Sequence, residues 1–449
     1  MKKKNVCVLI AMAAMTALLL SGCGGAQKPA AETPAVEEGQ DLSAGEDAQA
    51  DSAKEAAEED TQAQDAAENK EDAGAAEAEE DTKKDDKSSD AEQAEEESFE
   101  ESANEDESEE DPEKAAENAE ESEEEEPAEE EPEPYVLPEG MYFSEMTGEP
   151  ISEEIKDQRP MAFMIDNDER AQPHYGTSQA DVVYELINSM ANNRITRFMV
   201  MVKDWEKIER IGNIRSVRPT NILLNAEWNG ILCHDGGPFY INAYLNKGYT
   251  DHFSGTFSRI NNGKAREFTE YCLTGDLDRN FRSYPKVSRT YNSNKPEDDY
   301  HFNFADYGTR ASLDEETSYP ATQVILPLPH NKPKLVYNEE TGKYDYYQYG
   351  QLYKDAGNGE TMSFDNIIIQ KCEIHQYDNN GYMIYNCIGL QQEGFYVTNG
   401  RFMPIIWQKI GDTGITRYYD FEGNEIELNT GKTYITMIPH DVWLDVTIR

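Results

Sequence analysis

Five arginines lie within 25 residues, from Arg194 to Arg218, in a chain whose formal net charge is −50. The last of these residues stand in the run Arg215-Ser216-Val217-Arg218-Pro219. Serine is a favoured N-cap residue and proline suits the first helical turn, so this run predicts a helix that begins after Ser216. A cation near a helix N-terminus costs about 0.3–1 kcal/mol. We therefore expect an anion to compensate Arg215 and Arg218.

This anion has two sources that the sequence leaves open. Guanidinium forks and free N–H groups at a helix start bind phosphate or carboxylate groups, which predicts an anion-binding cleft for a lipid-linked or wall-derived polymer. The predicted ligand-binding residues are Arg197, Arg215, Ser216 and Arg218. In the alternative, the arginines pair with acidic residues of the same chain and only stabilise the fold. The internal acceptors available are Asp166, Asp181 and Glu185.

Three further residues could support acid–base chemistry. Asp166 follows a short apolar run, and His234 and Asp235 follow another, directly before Gly236-Gly237. Loops at strand ends often carry catalytic groups, and carboxylates and imidazoles transfer protons near neutral pH. The alternative for His234 and Asp235 is a tight turn with a polar rim. Whether the chain is an enzyme stays open at this stage.

The cysteines and histidines do not predict a metal site or a cofactor. The chain lacks C-x-x-C and H-E-x-x-H motifs, and Cys372 and His375 would point to opposite faces of a strand. A hairpin centred on Asn379-Asn380 would place Cys372 directly opposite Cys387. A cross-strand disulfide and a pair of buried thiols both fit this register.

Apolar runs place these residues on an N-terminal α/β-type domain and a C-terminal β-rich domain, an α+β fold class overall. The predicted N-terminal elements are strands at Met161–Ile165, Asp181–Ile187, Phe198–Val202 and Gly230–Cys233, and a helix at Pro219–Trp228. The predicted C-terminal strands are Asn366–Ile369, Tyr382–Cys387, Phe395–Val397, Phe402–Trp407, Thr416–Tyr419 and Thr433–Ile438. Turns rich in Gly and Asn separate them.

The start of the chain has the features of a lipoprotein signal peptide. Lys2 to Lys4 precede an apolar run from Val6 to Leu20, which is too short to span a hydrocarbon core of about 30 Å. Leu20-Ser21-Gly22-Cys23 then matches a lipobox, which predicts acylation of the Cys23 thiol. We expect residues 1–22 to be removed and Cys23 to hold the chain on the extracytoplasmic face of the cell membrane.

Residues 24–134 contain 46 Asp and Glu against seven Lys, with Phe99 as the only aromatic residue. Such a segment cannot bury enough apolar surface to offset its ordering entropy, so residues 23–134 are predicted to form a disordered acidic stalk. The acidity argues against nucleic acid as a partner, because phosphates are repelled. The expected folded parts are residues 135–295 and 321–449, with a polar joint at 296–320.

Several longer motifs resemble the YerB family of Gram-positive lipoproteins. They are Met161–Asn167, Ser178–Glu185, Ile195–Phe198, Ile211–Arg218 and His234–Gly237, and in the C-terminal part Trp407–Lys409, Tyr419–Gly423 and Leu428–Thr433. The resemblance covers about residues 145–449 and is weakest between Tyr240 and Pro320. This chain departs from the family in Asn213, Asp235 and Tyr434. The resemblance implies an extracytoplasmic lipoprotein with two uncharacterised domains, and it implies no activity or catalytic residues.

These observations lead to a predicted binding or scaffolding module of the cell envelope, whose partner is an anionic wall polymer, a glycan or an envelope protein. One alternative is an enzyme of wall metabolism, a hydrolase or phosphoryl transferase, that uses an arginine-rich cleft. The other is that the arginines are purely structural and that the chain binds a protein elsewhere.

Overall fold

The structure is a computed structural model and describes residues 135–297 and 300–449. The predicted signal peptide, Cys23 and the acidic stalk lie outside these residues. Within the described part, no helix is both long and apolar enough to cross a membrane.

Short strands dominate the first half of the described chain. They are β1 (Met141–Phe143), β2 (Pro150–Ser152), β3 (Met161–Asp166), β4 (Val182–Ile187), β5 (Thr196–Val202), β6 (Arg210–Gly212), β7 (Ile231–His234), β8 (Asp251–Ser254), β9 (Ser258–Arg259) and β10 (Glu270–Leu273). The α-helices are α1 (Pro219–Ala226), α2 (Asn242–Leu245) and α3 (Asp276–Ser283). Ala191–Arg194 forms a single turn in which Asn192 and Asn193 have positive φ.

The second half consists almost entirely of strands. They are β11 (Tyr319–Pro320), β12 (Gln323–Ile325), β13 (Lys334–Asn338), β14 (Lys343–Gln348), β15 (Gln351–Leu352), β16 (Ser363–Phe364), β17 (Asn366–Cys372), β18 (Ile374–Gln376), β19 (Met383–Tyr385), β20 (Gly389–Thr398), β21 (Arg401–Lys409), β22 (Arg417–Tyr419), β23 (Thr433–Pro439) and β24 (Thr447–Ile448). Short 3₁₀ helices connect elements in both halves, at Glu153–Ile155, Glu169–Ala171, Thr177–Gln179, Trp205–Lys207, Phe239–Ile241, Arg266–Phe268 and His440–Asp445.

One large sheet contains strands from both halves, in the order β11-β21-β20-β17-β23-β4-β5-β3-β7-β8, with β22 paired to β21. At its centre β23 pairs in parallel with β4, so that Thr433 lies opposite Val182 and Thr436 opposite Glu185. A smaller sheet contains β15, β14, β13, β12 and β24, with β16 paired to β14. The two halves of the described chain therefore share one hydrogen-bonded sheet.

The strands β3, β7 and β8 run parallel to one another at one side of the large sheet. Every residue of β3 and β7 is buried, as is typical of parallel strands covered on both faces. Because parallel strands point the same way, their last residues meet at one edge. These residues are Asp166, His234 and Ser254.

The described residues are β-rich with few helices. This agrees with the predicted β-rich C-terminal part, whereas the N-terminal part, predicted to be of α/β type, also consists mainly of strands and has only short helices. The predicted strands at Met161–Ile165 and Asn366–Ile369 and the predicted helix at Pro219 are confirmed. The prediction of Ser216 as N-cap is wrong, because Arg218 occupies that position with φ −123° and ψ 160°. A residue that precedes proline is driven into this extended region, so the helix begins at Pro219.

Candidate functional site

Asp166, at the end of β3, is the internal carboxylate that compensates the arginines. It is 2% exposed, and the Nε of Arg215 donates to its Oδ2 over 2.9 Å. The Nη2 of Arg197 lies 4.0 Å from the same oxygen. Burial alone would raise the pKa of Asp166, but the charges of Arg197 and Arg215 hold it below its usual value. Asp166 is therefore an ionised carboxylate inside a cationic pair.

The other two predicted acceptors do not contact the arginines. Asp181 accepts a hydrogen bond from the backbone N–H of Lys203 at 2.6 Å. Glu185 is fully buried, and each of its hydrogen bonds comes from a neutral group. The donors are Tyr434, Tyr346, Thr196, Asn331 and Asn167, at 2.6–3.0 Å. Burial raises the pKa of Glu185.

Arg197 and Arg218 are buried and bind groups of the same loop. The Nη1 of Arg197 donates to the Ser216 carbonyl at 2.8 Å and to the Ser216 Oγ at 2.7 Å. The Nη1 of Arg218 donates to the Val217 carbonyl at 3.0 Å, and its guanidinium lies 4.0 Å from the ring centre of Tyr382. Ser216 therefore acts as a hydrogen-bond acceptor that joins these two arginines, in place of its predicted capping role.

The space beside these two arginines is small. It is a cavity of about 10 Å³, lined by Leu186, Ile187, Asn188, Arg197, Arg218, Thr220, Asn221, Met383 and Tyr385. A cavity of this volume holds about one water molecule, which is far less than a polymer segment requires. Arg197 and Arg218 therefore hold the loop before α1. A large ligand could bind only at the more exposed surface beyond them.

That outer surface begins at Arg215, which links the end of β3 to the end of β7. Its backbone N–H donates to the Met164 carbonyl at 2.9 Å, and its carbonyl accepts from the Asp235 N–H at 3.0 Å. Its side chain is 16% exposed, and Nη2 lies 3.7 Å from Oε2 of Glu267. Arg215 thus stands between the buried Asp166 and the half-buried Asp235.

Asp235 belongs to a carboxyl pair bridged by one arginine. The Nη2 of Arg259 lies 2.6 Å from Oδ2 of Asp235 and 2.5 Å from Oε2 of Glu270. Burial and then the charge of Asp235 raise the pKa of Glu270 to about 8. Burial would also raise the pKa of Asp235, but its interactions with Glu270 and Arg259 lower it. Glu270 is therefore the more basic carboxyl of the pair.

Two histidines stand next to this pair. The Nδ1 of His234 donates to the Gly236 carbonyl at 2.8 Å, so its Nε2 accepts from the Nδ1 of His252 at 3.1 Å. Burial, and then the neighbouring imidazole, lower the pKa of His234 to about 3, and burial lowers that of His252. Both rings are neutral at pH 7, and the Nε2 of His252 carries a lone pair. We call Arg215, Asp235, Arg259 and Glu270 the charged edge.

The structure places the predicted ligand-binding and acid–base residues in one region, although in different roles. Asp166, Arg197, Ser216 and Arg218 form a buried framework, whereas Arg215 and Asp235 reach the partly exposed charged edge. The residues that sequence reasoning missed are Arg259 and Glu270. They lie on β9 and β10, which belong with β6 to a separate three-stranded sheet of order β6-β10-β9, and Arg259 connects that sheet to Asp235 after β7.

The cysteines of the described residues, Cys233, Cys272, Cys372 and Cys387, are buried free thiols. The predicted hairpin register is confirmed, since Ile374 pairs with Tyr385 and His375 with Ile384. The suggested disulfide between Cys372 and Cys387 is not formed, and the thiol of Cys372 instead lies 3.3 Å from the Asn386 carbonyl. In residues 135–297 and 300–449, no group of three or more His, Cys, Asp or Glu side chains could hold a metal ion.

Two family models match the chain. Residues 146–286 match the N-terminal domain of a protein of unknown function, DUF3048, and residues 324–435 match the C-terminal domain of the same family. A relative named "Putative lipoprotein YerB", from Bacillus subtilis (strain 168), is 22% identical over 316 residues, which cover 66% of this chain and 85% of the relative.

The crystal structure of the Bacillus subtilis YerB protein has a similar fold. It aligns with a TM-score of 0.57 at 20% sequence identity, over 69% of this chain and 99% of that protein. The order of the two matched domains, the sequence similarity and the fold agree with one another. The chain therefore belongs to the YerB-like family, whose N-terminal and C-terminal DUF3048 domains, both of unknown function, it carries in that order.

Proposed function

We propose that this chain is a membrane-anchored, extracytoplasmic binding module of the cell envelope, which recognises a wall polymer through the charged edge. The observation that carries this proposal is the gathering of Arg215, Asp235 and Arg259 beside the ends of the parallel strands β3 and β7. In sheets with parallel strands, ligands bind outside the carboxyl ends of the strands. The name of the Bacillus subtilis relative and the lipobox at Cys23 support the lipid anchor.

The chemistry of the charged edge suggests what such a ligand carries. The guanidinium of Arg259 is 27% exposed and the carboxylate of Asp235 is 22% exposed, so both can exchange their mutual ion pair for a ligand. A carboxylate or phosphate would meet Arg259, and a hydroxyl or amide donor would meet Asp235. A wall polymer that carries anionic groups together with hydroxyl or amide groups has both.

Co-sedimentation of the full-length chain with purified Gram-positive wall sacculi tests this proposal. We expect the chain to sediment with the sacculi, and we expect Arg259→Gln to weaken this binding by roughly tenfold, the equivalent of one charge-assisted contact. Arg282→Gln is the matched control, because Arg282 is an exposed arginine on α3 and the change in charge is the same. Equal sedimentation of both variants and the wild type would refute the assignment of the charged edge.

A hydrolase is the second candidate, and the carboxyl pair is the observation that favours it. The pKa values of Asp235 and Glu270 are driven in opposite directions, which is the usual arrangement of a base beside an acid. Both carboxyls contact the same nitrogen of Arg259, so they are too close together for the roughly 6.5–9.5 Å separation of inverting glycoside hydrolases. If the wild type releases soluble fragments from sacculi and Glu270→Gln does not, the hydrolase activity is established. If Glu270→Gln still releases fragments, the Asp235–Glu270 pair is not the catalytic acid and base.

A further inference from the structure

Three aromatic rings contact one another where the loop after β7 meets the hairpin of β18 and β19, and we call Phe239, Tyr240 and Tyr377 the aromatic platform. Phe239 is 76% exposed and Tyr377 is 48% exposed, which is unusual for large apolar rings. The ring of Tyr240 lies between them, with its centre 5.6 Å from that of Phe239 and 3.9 Å from that of Tyr377. Exposed groups of this kind often mark binding sites.

The backbone on both sides holds these rings in place. Phe239 and Tyr240 follow Gly236-Gly237, and Gly237 has a φ of +155°, where a Cβ atom would lie 2.5 Å from Cδ1 of Ile241. The N–H of Tyr377 donates to the Tyr382 carbonyl at 2.8 Å, which closes the hairpin of β18 and β19. The platform is thus assembled from both halves of the chain.

Polar groups surround the rings. The hydroxyl of Tyr240 is buried and has no hydrogen-bond partner among the described residues. Asp378 directly follows Tyr377, and its charge acts on Tyr240. Asn242 and Asn380, both exposed, lie close by in the sequence. A ligand for this surface therefore needs an apolar face together with hydrogen-bond donors at its rim.

We propose that the aromatic platform binds a neutral glycan with β-linked pyranose rings, a proposal that rests on the wall-polymer function above. The C–H groups on the face of such a ring pack against aromatic faces, whose π-electrons carry partial negative charge. The hydroxyl groups around the ring donate to Asp378 and to the carbonyl oxygens of Asn242 and Asn380. Because the rim carries a carboxylate, a neutral sugar is more favourable here than a polyanion.

The size and charge of the surface argue against a protein partner. A stable protein interface buries about 800 Å² on each partner, whereas an aromatic side chain buries at most roughly 150–250 Å². Here two exposed rings and one buried ring form the surface. The core of a protein interface is also depleted in charged residues. Asp378 lies directly beside Tyr377, so this surface suits a small polar ligand with one apolar face.

Calorimetric titration of the full-length chain with chitotetraose and with cellotetraose, two soluble neutral glycans, tests the proposal. We expect at least one of them to bind. We expect Phe239→Ala and Tyr377→Ala to weaken that binding by roughly tenfold, whereas Tyr377→Phe, which keeps the ring, should bind within about twofold of the wild type. Phe421→Ala is the matched control, because Phe421 is 65% exposed in the turn after β22.

Two results would overturn the glycan assignment. One is the failure of both glycans to bind the wild type, and the other is equal binding by Phe239→Ala, Tyr377→Ala and the control. The titration needs no wall material, so its outcome is separate from sedimentation with sacculi. If sedimentation depends on Arg259 but the titration fails, the wall-polymer function stands and the aromatic platform has no part in it.

Discussion

The hydroxyl of Tyr434 on β23 donates to the buried carboxylate of Glu185 on β4 over 2.6 Å. This bond joins the two halves of the described chain beside the parallel pairing of the same strands. Glu185 receives hydrogen bonds from four further side chains and is stabilised by neutral donors alone. Such a network is costly to break, because a buried carboxylate that loses a donor cannot recover it from water.

We therefore expect Tyr434→Phe to lower the free energy of unfolding by about 1–3 kcal/mol, the usual effect of leaving a buried acceptor unsatisfied. Urea denaturation of the full-length chain followed by circular dichroism would measure it. Tyr319→Phe serves as the control, since Tyr319 is 48% exposed and its hydroxyl is free to contact water. Equal stabilities of the two variants would mean that the Glu185 network contributes little.

Asp166 should be important for stability rather than only for ligand binding. Asp166→Asn removes the carboxylate charge between Arg197 and Arg215, and breaking a buried pair costs about 3–5 kcal/mol. We expect a clear decrease in the urea midpoint. Asp278→Asn removes a charge from the exposed pair with Arg289 and should change stability by less than about 1 kcal/mol. Similar effects of both changes on stability would show that the ion pairs of Asp166 with Arg197 and Arg215 do not stabilise the fold.

Because the pKa of Asp181 is raised in the folded state, we expect the stability of the chain to depend on pH. Burial raises the pKa of Asp181 from the ordinary value of an aspartate to about 7. Between about pH 4 and pH 7 the folded state therefore keeps this proton while the unfolded state loses it. The stability that the protonated Asp181 contributes is full below about pH 4 and is lost as the pH rises to about 7. The slope approaches roughly 1.4 kcal/mol per pH unit.

The variant Asp181→Asn removes this titration and can still accept the hydrogen bond from the Lys203 N–H. We expect the free energy of unfolding of the variant, relative to that of the wild type, to increase steadily between pH 4 and pH 7. Above pH 7 the difference between the two proteins should be constant. Urea midpoints at four pH values would show the trend. A stability difference that does not change with pH would contradict the raised pKa of Asp181.

The thiols of Cys372 and Cys387 should be unreactive in the folded chain. Both are buried, and burial raises the pKa of each above its usual value, so the thiolate that reacts is scarce at pH 7–8. Iodoacetamide labelling followed by peptide mass spectrometry should modify them only after denaturation. Unmodified thiols after denaturation without reductant would instead indicate that the disulfide exists in solution.

The sequence by itself determined the elements whose pattern is local. The continuous apolar run at Met161–Ile165 could only be a buried strand or helix segment, and its length favours a strand. Pro219 determined where α1 begins, and the turn at Asn379-Asn380 determined the register that places Cys372 opposite Cys387. The sequence also identified the arginines near Arg215 as important, because five cations close together in the chain require anions to compensate them.

The tertiary structure decided which groups provide that compensation and which groups face solvent. The sequence offered three carboxylates as partners of the arginines. The pairing of β3 with β5 placed Asp166 opposite Arg197, whereas Glu185 accepts a hydrogen bond from Tyr434. Glu270 and Arg259 lie on the separate sheet β6-β10-β9 and reach Asp235 only because that sheet lies beside the end of β7. Such contacts depend on the order of strands in the sheet, and local periodicity carries no information about that order.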